Sequence, residues 1–206
     1  MERYVVVARE NQKHNLGIPF LICILLLIVS PLFLGIENLT EPETAKVLEY
    51  YVVFTSIILL PTVFLPEQDK DIRDLLSSKY MPVAKLYGIR MVQMIIYLML
   101  ILVVYMCILK AGNCTFAFGK LYMGELATMV FLGGMGVFFY ALTDQVVVGY
   151  MIPLLYYMLN ITIPPDKIKA FYLFSMSIDK YEWKWILGLA GLVFLIAGIG
   201  IRSKRQ

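Results

Sequence analysis

Few side chains in this sequence could carry out acid–base, metal or nucleophilic chemistry. The single histidine, His14, lies in the basic N-terminal segment, which excludes a His-rich metal site or an H-E-x-x-H metalloprotease. Ser30, Ser56 and Thr128 lie in apolar runs with no base beside them, so nothing supports a nucleophilic pair. The three cysteines are too far apart in the sequence for a Cys-x-x-Cys pair. The sequence therefore predicts a chain that is not an enzyme and that holds no metal.

One carboxylate and one glycine-rich stretch need separate consideration. Glu125 falls within an apolar run, about one turn from its end. An acid inside a membrane segment is a functional-site hypothesis, but this position favours a place at the membrane interface. The stretch from Gly112 to Gly119-Lys120-Leu121 has the wrong spacing for a nucleotide-binding loop and lacks its Ser or Thr. We expect this chain to bind no cofactor, so ATP and Mg²⁺, if used, would be held by another chain.

The elements that would position these residues are long apolar runs. The sequence is 60% hydrophobic and only 16% charged, whereas soluble domains carry about a quarter charged residues. Crossing a bilayer takes roughly 20 apolar residues in a helix. Six runs approach that length, at residues 17–35, 50–65, 91–109, 121–142, 146–163 and 185–201. We expect an all-α membrane protein with one transmembrane domain over residues 1–206.

The charged segments between the runs indicate the orientation. With the N-terminus inside, the inner segments hold most of the Lys and Arg residues, as cytoplasmic segments do. The first outer loop would be acidic, with Glu37, Glu41, Glu43 and Glu49 against Lys46. An even number of spans places both basic termini on one side. The sequence thus predicts a multi-pass protein of the cell membrane, in a bacterium the cytoplasmic membrane, with both termini cytoplasmic.

The longest inner loop, residues 66–90, has an amphipathic pattern. It opens with acidic residues, which suit a helix N-terminus. Ile72, Leu75 and Leu76 then recur at helical spacing on one face, and Pro82 ends the pattern. Such a helix could seat in a groove of a partner protein, or it could lie along the membrane surface as an ordinary interfacial helix.

This region resembles a known family. A short second run, followed by E-x-D-x-D-I-R-D-L-L-S-S-K-Y-M-P-V and a basic approach to the third run, is similar to the permease subunits of type-2 ABC exporters. In that family the loop carries a coupling helix that docks into a separate ATPase subunit. The resemblance implies that docking would involve Glu67, Asp71, Ile72, Arg73, Asp74, Leu75, Leu76 and Ser77.

The resemblance also implies a function. The chain would pair with a second permease, identical or homologous, and with ABC ATPase subunits, to export a bulky amphipathic substrate such as a peptide, antibiotic or lipid. Spans two and five would line the path, with Tyr51, Phe54, Thr55, Tyr150, Tyr156, Tyr157 and Asn160 as candidate lining residues. The alternative is a membrane scaffold or anchor that docks a cytoplasmic partner without transport.

Two further patterns suit a helix bundle. Gly124, Ala127, Gly134 and Ala141 fall on one face of the fourth span, where small residues let helices approach closely. The outer segment 164–174 could form a short re-entrant helix, as it does in the exporter family. Its aromatic residues, with the tryptophans beyond them, would then belong to an interfacial aromatic belt.

Overall fold

The computed structural model describes residues 15–68 and 83–205. Within these residues the chain forms helices and no strand, which confirms the all-α prediction. We number the helices α1 (Gly17–Leu34), α2 (Glu41–Gln68), α3 (Val83–Ala111), α4 (Phe118–Thr143), α5 (Val146–Thr162), α6 (Pro165–Ile168) and α7 (Glu182–Lys204). A 3-10 turn, Lys169–Phe171, follows α6.

The helices have the character of a multi-pass membrane protein. Among the described residues, α2, α3, α4 and α7 are long and apolar enough to cross a bilayer. The helices α1 and α5 are also apolar, with 18 and 17 residues, which is near the lower limit of about 17 for a spanning helix. Large apolar side chains cover the outer faces, including Leu32, 82% exposed, and Trp185, 69% exposed. Apolar surface of this extent marks a membrane or protein contact.

Two of the helices begin more than two turns earlier than the sequence predicted, whereas α4 and α7 begin within one turn of the predicted start. The helix α2 starts at Glu41 rather than at residue 50, because Thr40 and Glu43 form a capping box at its N-terminus. Glu43 accepts hydrogen bonds from the Thr40 amide at 2.9 Å and from its hydroxyl at 2.7 Å. The prediction that Glu41, Glu43, Lys46 and Glu49 lie in a loop was therefore wrong. Similarly, α3 starts at residue 83 rather than 91.

The helix α2 departs from α-helical geometry in two places. It contains a π-helical turn, Leu48–Val52, and its last part, Leu60–Gln68, is a 3-10 helix. Proline lacks an amide hydrogen, so Pro61 and Pro66 cannot donate the hydrogen bonds of a regular α-helix. Long 3-10 segments and π turns are uncommon and often mark functional sites. Each of these irregular parts of α2 carries a buried glutamate.

The helix α4 lies at the centre of the bundle and contacts α2, α3, α5 and α7. Its small residues permit this, as the sequence predicted. A Cβ atom at Gly134 would lie 2.7 Å from the carbonyl oxygen of Gly191 in α7, and one at Gly136 would lie 2.7 Å from that of Gly149 in α5. Any larger side chain at these positions would force the helices apart.

Candidate functional site: two buried charge clusters

The first cluster lies where residues 69–82 join the bundle. We call it the loop-root cluster, and it consists of Glu67, Tyr87, Arg90, Asp144 and Arg202. The ends of four helices meet here: the C-termini of α2, α4 and α7 and the N-terminus of α3. Glu67 is 1% exposed and Arg202 is fully buried, so these charges lie inside the protein rather than on its surface.

Glu67 is the centre of the loop-root cluster. The Arg90 guanidinium donates to one carboxylate oxygen of Glu67 at 3.1 Å and to the carbonyl of Val63 at 3.2 Å. The Tyr87 hydroxyl donates to the other oxygen of Glu67, and Nε of Arg202 lies 3.8 Å from that same oxygen. Glu67 thus joins α2 to α3 and α7 through buried charged contacts.

Arg202 extends the cluster to α4. Its guanidinium donates to the carboxylate of Asp144 and lies over the rings of Phe64 and Tyr140, 5.7 and 5.8 Å from their centroids. Asp144 caps α4 in the left-handed conformation, with φ 58°, which Asp tolerates better than most residues.

The charges of the loop-root cluster balance, because two carboxylates face two guanidinium groups. The Asp144 side chain is 37% exposed, whereas the pair of Glu67 and Arg90 is buried; a buried ion pair contributes little net stability, but breaking it by removing one partner is costly. The cluster fixes both ends of segment 69–82 to the ends of α4 and α7.

The coupling-helix residues are only partly within the described structure. Of the predicted docking residues, Asp71, Ile72, Arg73, Asp74, Leu75, Leu76 and Ser77 lie outside the described residues. Glu67 is described, and its side chain is turned inward to Arg90. We therefore assign Glu67 to the root of the loop rather than to a docking surface.

The second cluster lies at the opposite end of the bundle. We call it the lysine cluster, and it consists of Glu49 from α2, Glu125 and Thr128 from α4, and Lys184 from α7. The Lys184 ammonium lies 2.8 Å from a carboxylate oxygen of Glu49 and 2.6 Å from the Thr128 hydroxyl, and it also donates to the carbonyl of Leu173. All four residues are at most 2% exposed.

The lysine cluster also holds the segment between α6 and α7. The carboxylate of Glu49 accepts hydrogen bonds from the backbone amides of Met176 at 2.9 Å and Ser177 at 3.3 Å. Leu173, Phe174 and Met176 are 1% exposed. The prediction of an aromatic belt is therefore wrong for Phe174, because the segment folds over α4 instead of facing outward.

The sequence placed three members of the lysine cluster incorrectly. Glu49 and Lys184 were expected in outer loops, and Glu125 at the interface, but all three are enclosed. The error arose because a residue close to a helix end in the sequence was assumed to be exposed. In the structure, residues 173–177 cover the N-terminal end of α4 and bury these side chains. One signal was present, since Glu49 and Lys184 directly adjoin apolar runs on the same predicted side and carry opposite charges.

The candidate path residues of α2 and α5 partly come together. The rings of Phe54 and Tyr157 lie 4.6 Å apart, and the Tyr157 hydroxyl donates to the carbonyl of Tyr50 at 3.2 Å. Thr55 is buried and donates to the carbonyl of Val52. Tyr51 and Tyr150 are half-buried. These contacts form an aromatic interface between α2 and α5.

Two other candidates hold the segment that follows α5. The amide oxygen of Asn160 accepts from the Leu173 amide at 3.0 Å, and its NH₂ group donates to the Tyr156 carbonyl at 3.1 Å. The Tyr156 hydroxyl donates to the carbonyl of Phe171 at 2.8 Å. Asn160 is 1% exposed. In this structure its polar atoms are engaged in positioning the chain.

A third, more exposed set of contacts joins α2, α4 and the residue before α7. Glu41 accepts from the Tyr181 hydroxyl at 3.1 Å, and Lys120 lies 3.7 Å from Glu41 and 3.3 Å from Asp179. Burial, with the hydrogen bond to Glu41, raises the pKa of Tyr181 above its ordinary value. These surface pairs contribute little to stability.

We searched the described residues for a metal site and compared the chain with known proteins. Within residues 15–68 and 83–205, no group of three or more His, Cys, Asp or Glu side chains is placed to hold a metal ion. Comparisons with protein families, with characterised proteins and with solved structures gave no match to this chain.

Proposed function

We propose that this chain is the permease subunit of an ATP-driven exporter of the type-2 ABC class. The helices α1 to α5 and α7 would make six membrane crossings, with both termini and segment 69–82 in the cytoplasm. The chain would pair with a second permease, and separate ABC ATPase subunits would hold ATP and Mg²⁺. The protein would be located in the cell membrane, which in a bacterium is the cytoplasmic membrane.

The observation that carries the proposal is the loop-root cluster. The sequence of the loop resembles a coupling helix, and such a helix works only if its movement reaches the membrane bundle. Glu67 and Arg90, on either side of segment 69–82, are paired at 3.1 Å and linked to α7 by Arg202. This arrangement favours a loop whose movement is transmitted to the helices of the bundle.

The proposed cycle follows from these contacts. When ATP closes the two ATPase subunits, the coupling helix moves with them. The loop-root cluster carries that movement to α4 and α7, because a buried ion pair resists separation by several kcal/mol. The glycine contacts of α4 with α5 and α7 let these helices shift as a packed unit. The path would then open outward.

The proposed substrate is bulky and amphipathic. The interface between α2 and α5 presents the aromatic rings of Phe54 and Tyr157, and α5 also carries Tyr150 and Tyr156. Aromatic rings offer apolar area with a polar edge, which suits a peptide, an antibiotic or a lipid better than an ion. Pairing with a second permease would place these helices around a shared path.

Co-purification tests the proposal. The chain would be co-expressed with an ABC ATPase encoded by a neighbouring gene, and the ATPase retained on the tagged chain would be measured. Replacing Leu75 and Leu76 by Glu would charge the apolar face of the predicted coupling helix, whereas Ser78→Glu adds a charge outside that face. We expect the double variant to lose the ATPase and Ser78→Glu to keep it.

Two outcomes would contradict the proposal. If the double variant retains the ATPase as well as Ser78→Glu does, the coupling-helix assignment is wrong. If the chain retains a cytoplasmic partner that does not hydrolyse ATP, and this partner is lost from the double variant, the scaffold alternative is supported instead.

A further inference from the structure

Glu125 is the feature of the lysine cluster that the proposed function does not use. Its side chain is completely buried, and among the described residues neither carboxylate oxygen has a hydrogen-bond partner. An ionised carboxylate in such a place loses several kcal/mol of hydration with nothing to replace it. Buried polar groups in folded proteins are almost always satisfied. The state of this carboxyl group therefore requires an explanation.

Lys184 does not provide a hydrogen bond to Glu125. An ammonium group has three hydrogens to donate, and those of Lys184 are directed to Glu49, Thr128 and the Leu173 carbonyl. The hydroxyl of Thr128 donates to the Gly124 carbonyl at 3.1 Å. Glu49 has Lys184 and two backbone amides. The cluster has two carboxylates and one cation, and the cation is committed to Glu49.

A large or multivalent ligand does not fit beside Glu125. The neighbouring Gly124 is so closely covered that a Cβ atom there would lie 2.4 Å from the sulfur of Met176 and 3.6 Å from Cγ of Lys184. On this side of Glu125, no space is left for an organic ammonium group. A metal ion would need several oxygen ligands, and the cluster offers no third carboxylate among the described residues. A proton is small enough to bind to Glu125 without a cavity beside it.

We propose that Glu125 is a proton-binding site, with a protonated carboxyl group in the folded protein. The groups that interact with it electrostatically are Glu49 from α2, Lys184 from α7 and Tyr157 from α5. With a proton on Glu125, the charges of Glu49 and Lys184 cancel. The inference does not rest on the proposed exporter function, because it uses only contacts within this chain.

Loss of the proton would have a structural consequence. The proton passes to water, and the new carboxylate competes with Glu49 for Lys184. Any movement of Lys184 toward Glu125 weakens its hydrogen bond to Leu173 and its pairing with Glu49, which holds the amides of Met176 and Ser177. Proton binding at Glu125 would therefore control how firmly residues 173–177 are held over α4.

Infrared difference spectroscopy of the full chain in detergent tests the proposal. A protonated carboxyl group has a carbonyl stretching band that an ionised one lacks. We expect the wild-type chain to show this band at neutral pH and to lose it on titration to alkaline pH. Glu125→Gln, which matches the protonated form in shape, should lack the band at neutral and alkaline pH, where the other carboxyl groups are ionised.

Two matched variants make the test specific. Glu49→Gln releases Lys184 to pair with Glu125, so we expect the band to disappear although Glu125 is still present. Asp179→Asn changes an exposed carboxylate near the same end of the bundle and should leave the band unchanged. Hydrogen exchange at residues 173–177, corrected for its intrinsic pH dependence, should accelerate at high pH in wild type but not in Glu125→Gln.

The proposal is overturned by any of three results. The wild-type chain could show no protonated carboxyl band, a result that needs no variant. The band could persist in folded Glu125→Gln, which would assign it to another residue. Exchange at residues 173–177 could also accelerate at high pH equally in wild type and Glu125→Gln, which would exclude Glu125 as its cause.

Discussion

Replacing Glu67 by Gln should destabilise the folded chain more than any exposed charge change. Glu67 has no exposed side-chain area and that of Arg90 is 8% exposed, so solvent cannot replace the lost partner. Among the described residues of the loop-root cluster, the substitution leaves two buried guanidinium groups, those of Arg90 and Arg202, with one carboxylate, that of Asp144. Removing one partner of a buried pair costs about 3–5 kcal/mol. Because the Gln amide oxygen can still accept one hydrogen bond, we expect the free energy of unfolding to fall by about 3 kcal/mol.

The assay is denaturant-induced unfolding in mixed micelles, followed by circular dichroism. The control is Asp179→Asn, which removes the exposed 3.3 Å contact with Lys120 and should change the free energy of unfolding by at most about 1 kcal/mol. The reasoning is refuted if Glu67→Gln unfolds at the same denaturant concentration as Asp179→Asn. In that case the charges of the loop-root cluster would be hydrated or rearranged.

A double-mutant cycle separates the pair from its surroundings. Glu67→Gln removes the carboxylate that faces Arg90, and Arg90→Met removes the guanidinium that faces Glu67, whereas the double variant removes both charges. We expect the double variant to be less destabilised than the sum of the two single variants, with a coupling free energy of roughly 1–3 kcal/mol. Additive effects would mean that Glu67 and Arg90 do not interact in the folded protein.

Three further predictions concern packing, the segment before α7 and thiol exposure. Gly191→Ala places a Cβ atom 2.6 Å from the Phe131 backbone and should lower the free energy of unfolding by about 1–3 kcal/mol. The control Gly200→Ala has open space around it and should be neutral. Equal effects of the two variants would contradict the packing of α4 on α7. Asn160→Leu leaves the Leu173 amide without its acceptor and should lower local stability by about 1–3 kcal/mol, which is measured as faster hydrogen exchange of the Leu173 amide. Unchanged exchange would mean that Asn160 does not hold this segment. A membrane-permeant maleimide should label Cys107, the exposed cysteine, before the two buried ones, and mass spectrometry showing equal labelling would refute that assignment.

The sequence predicted the helices well and their ends poorly. Long apolar runs with few charges are an unambiguous signal, and every predicted run lies within or largely overlaps an observed helix. The ends failed where charged residues were assumed to lie outside the helices. Glu49 and Arg90 instead lie within α2 and α3, because each is neutralised by a partner from another helix. Hydropathy along one chain carries no information about such partners.

The same limitation explains what was missed at the candidate site. The sequence drew attention to the loop and to Glu67, but not to Arg202 and Asp144, which are more than 50 residues away from both and meet Glu67 only through the fold. The irregular geometry of α2 was indicated only by Pro61 and Pro66. Close approach of α4 to its neighbours was predictable, because glycine at helical spacing has a direct geometric meaning.

The central claim is that segment 69–82 couples an ATPase to the membrane bundle. The most direct test is the ATPase activity of the partner subunit, reconstituted in liposomes with the permease and with excess candidate substrate. The account predicts that the permease stimulates ATP hydrolysis, that Ser78→Glu preserves the stimulation, and that Leu75→Glu with Leu76→Glu abolishes it. Full stimulation by the doubly charged variant, in a complex shown to be intact, would contradict the claim.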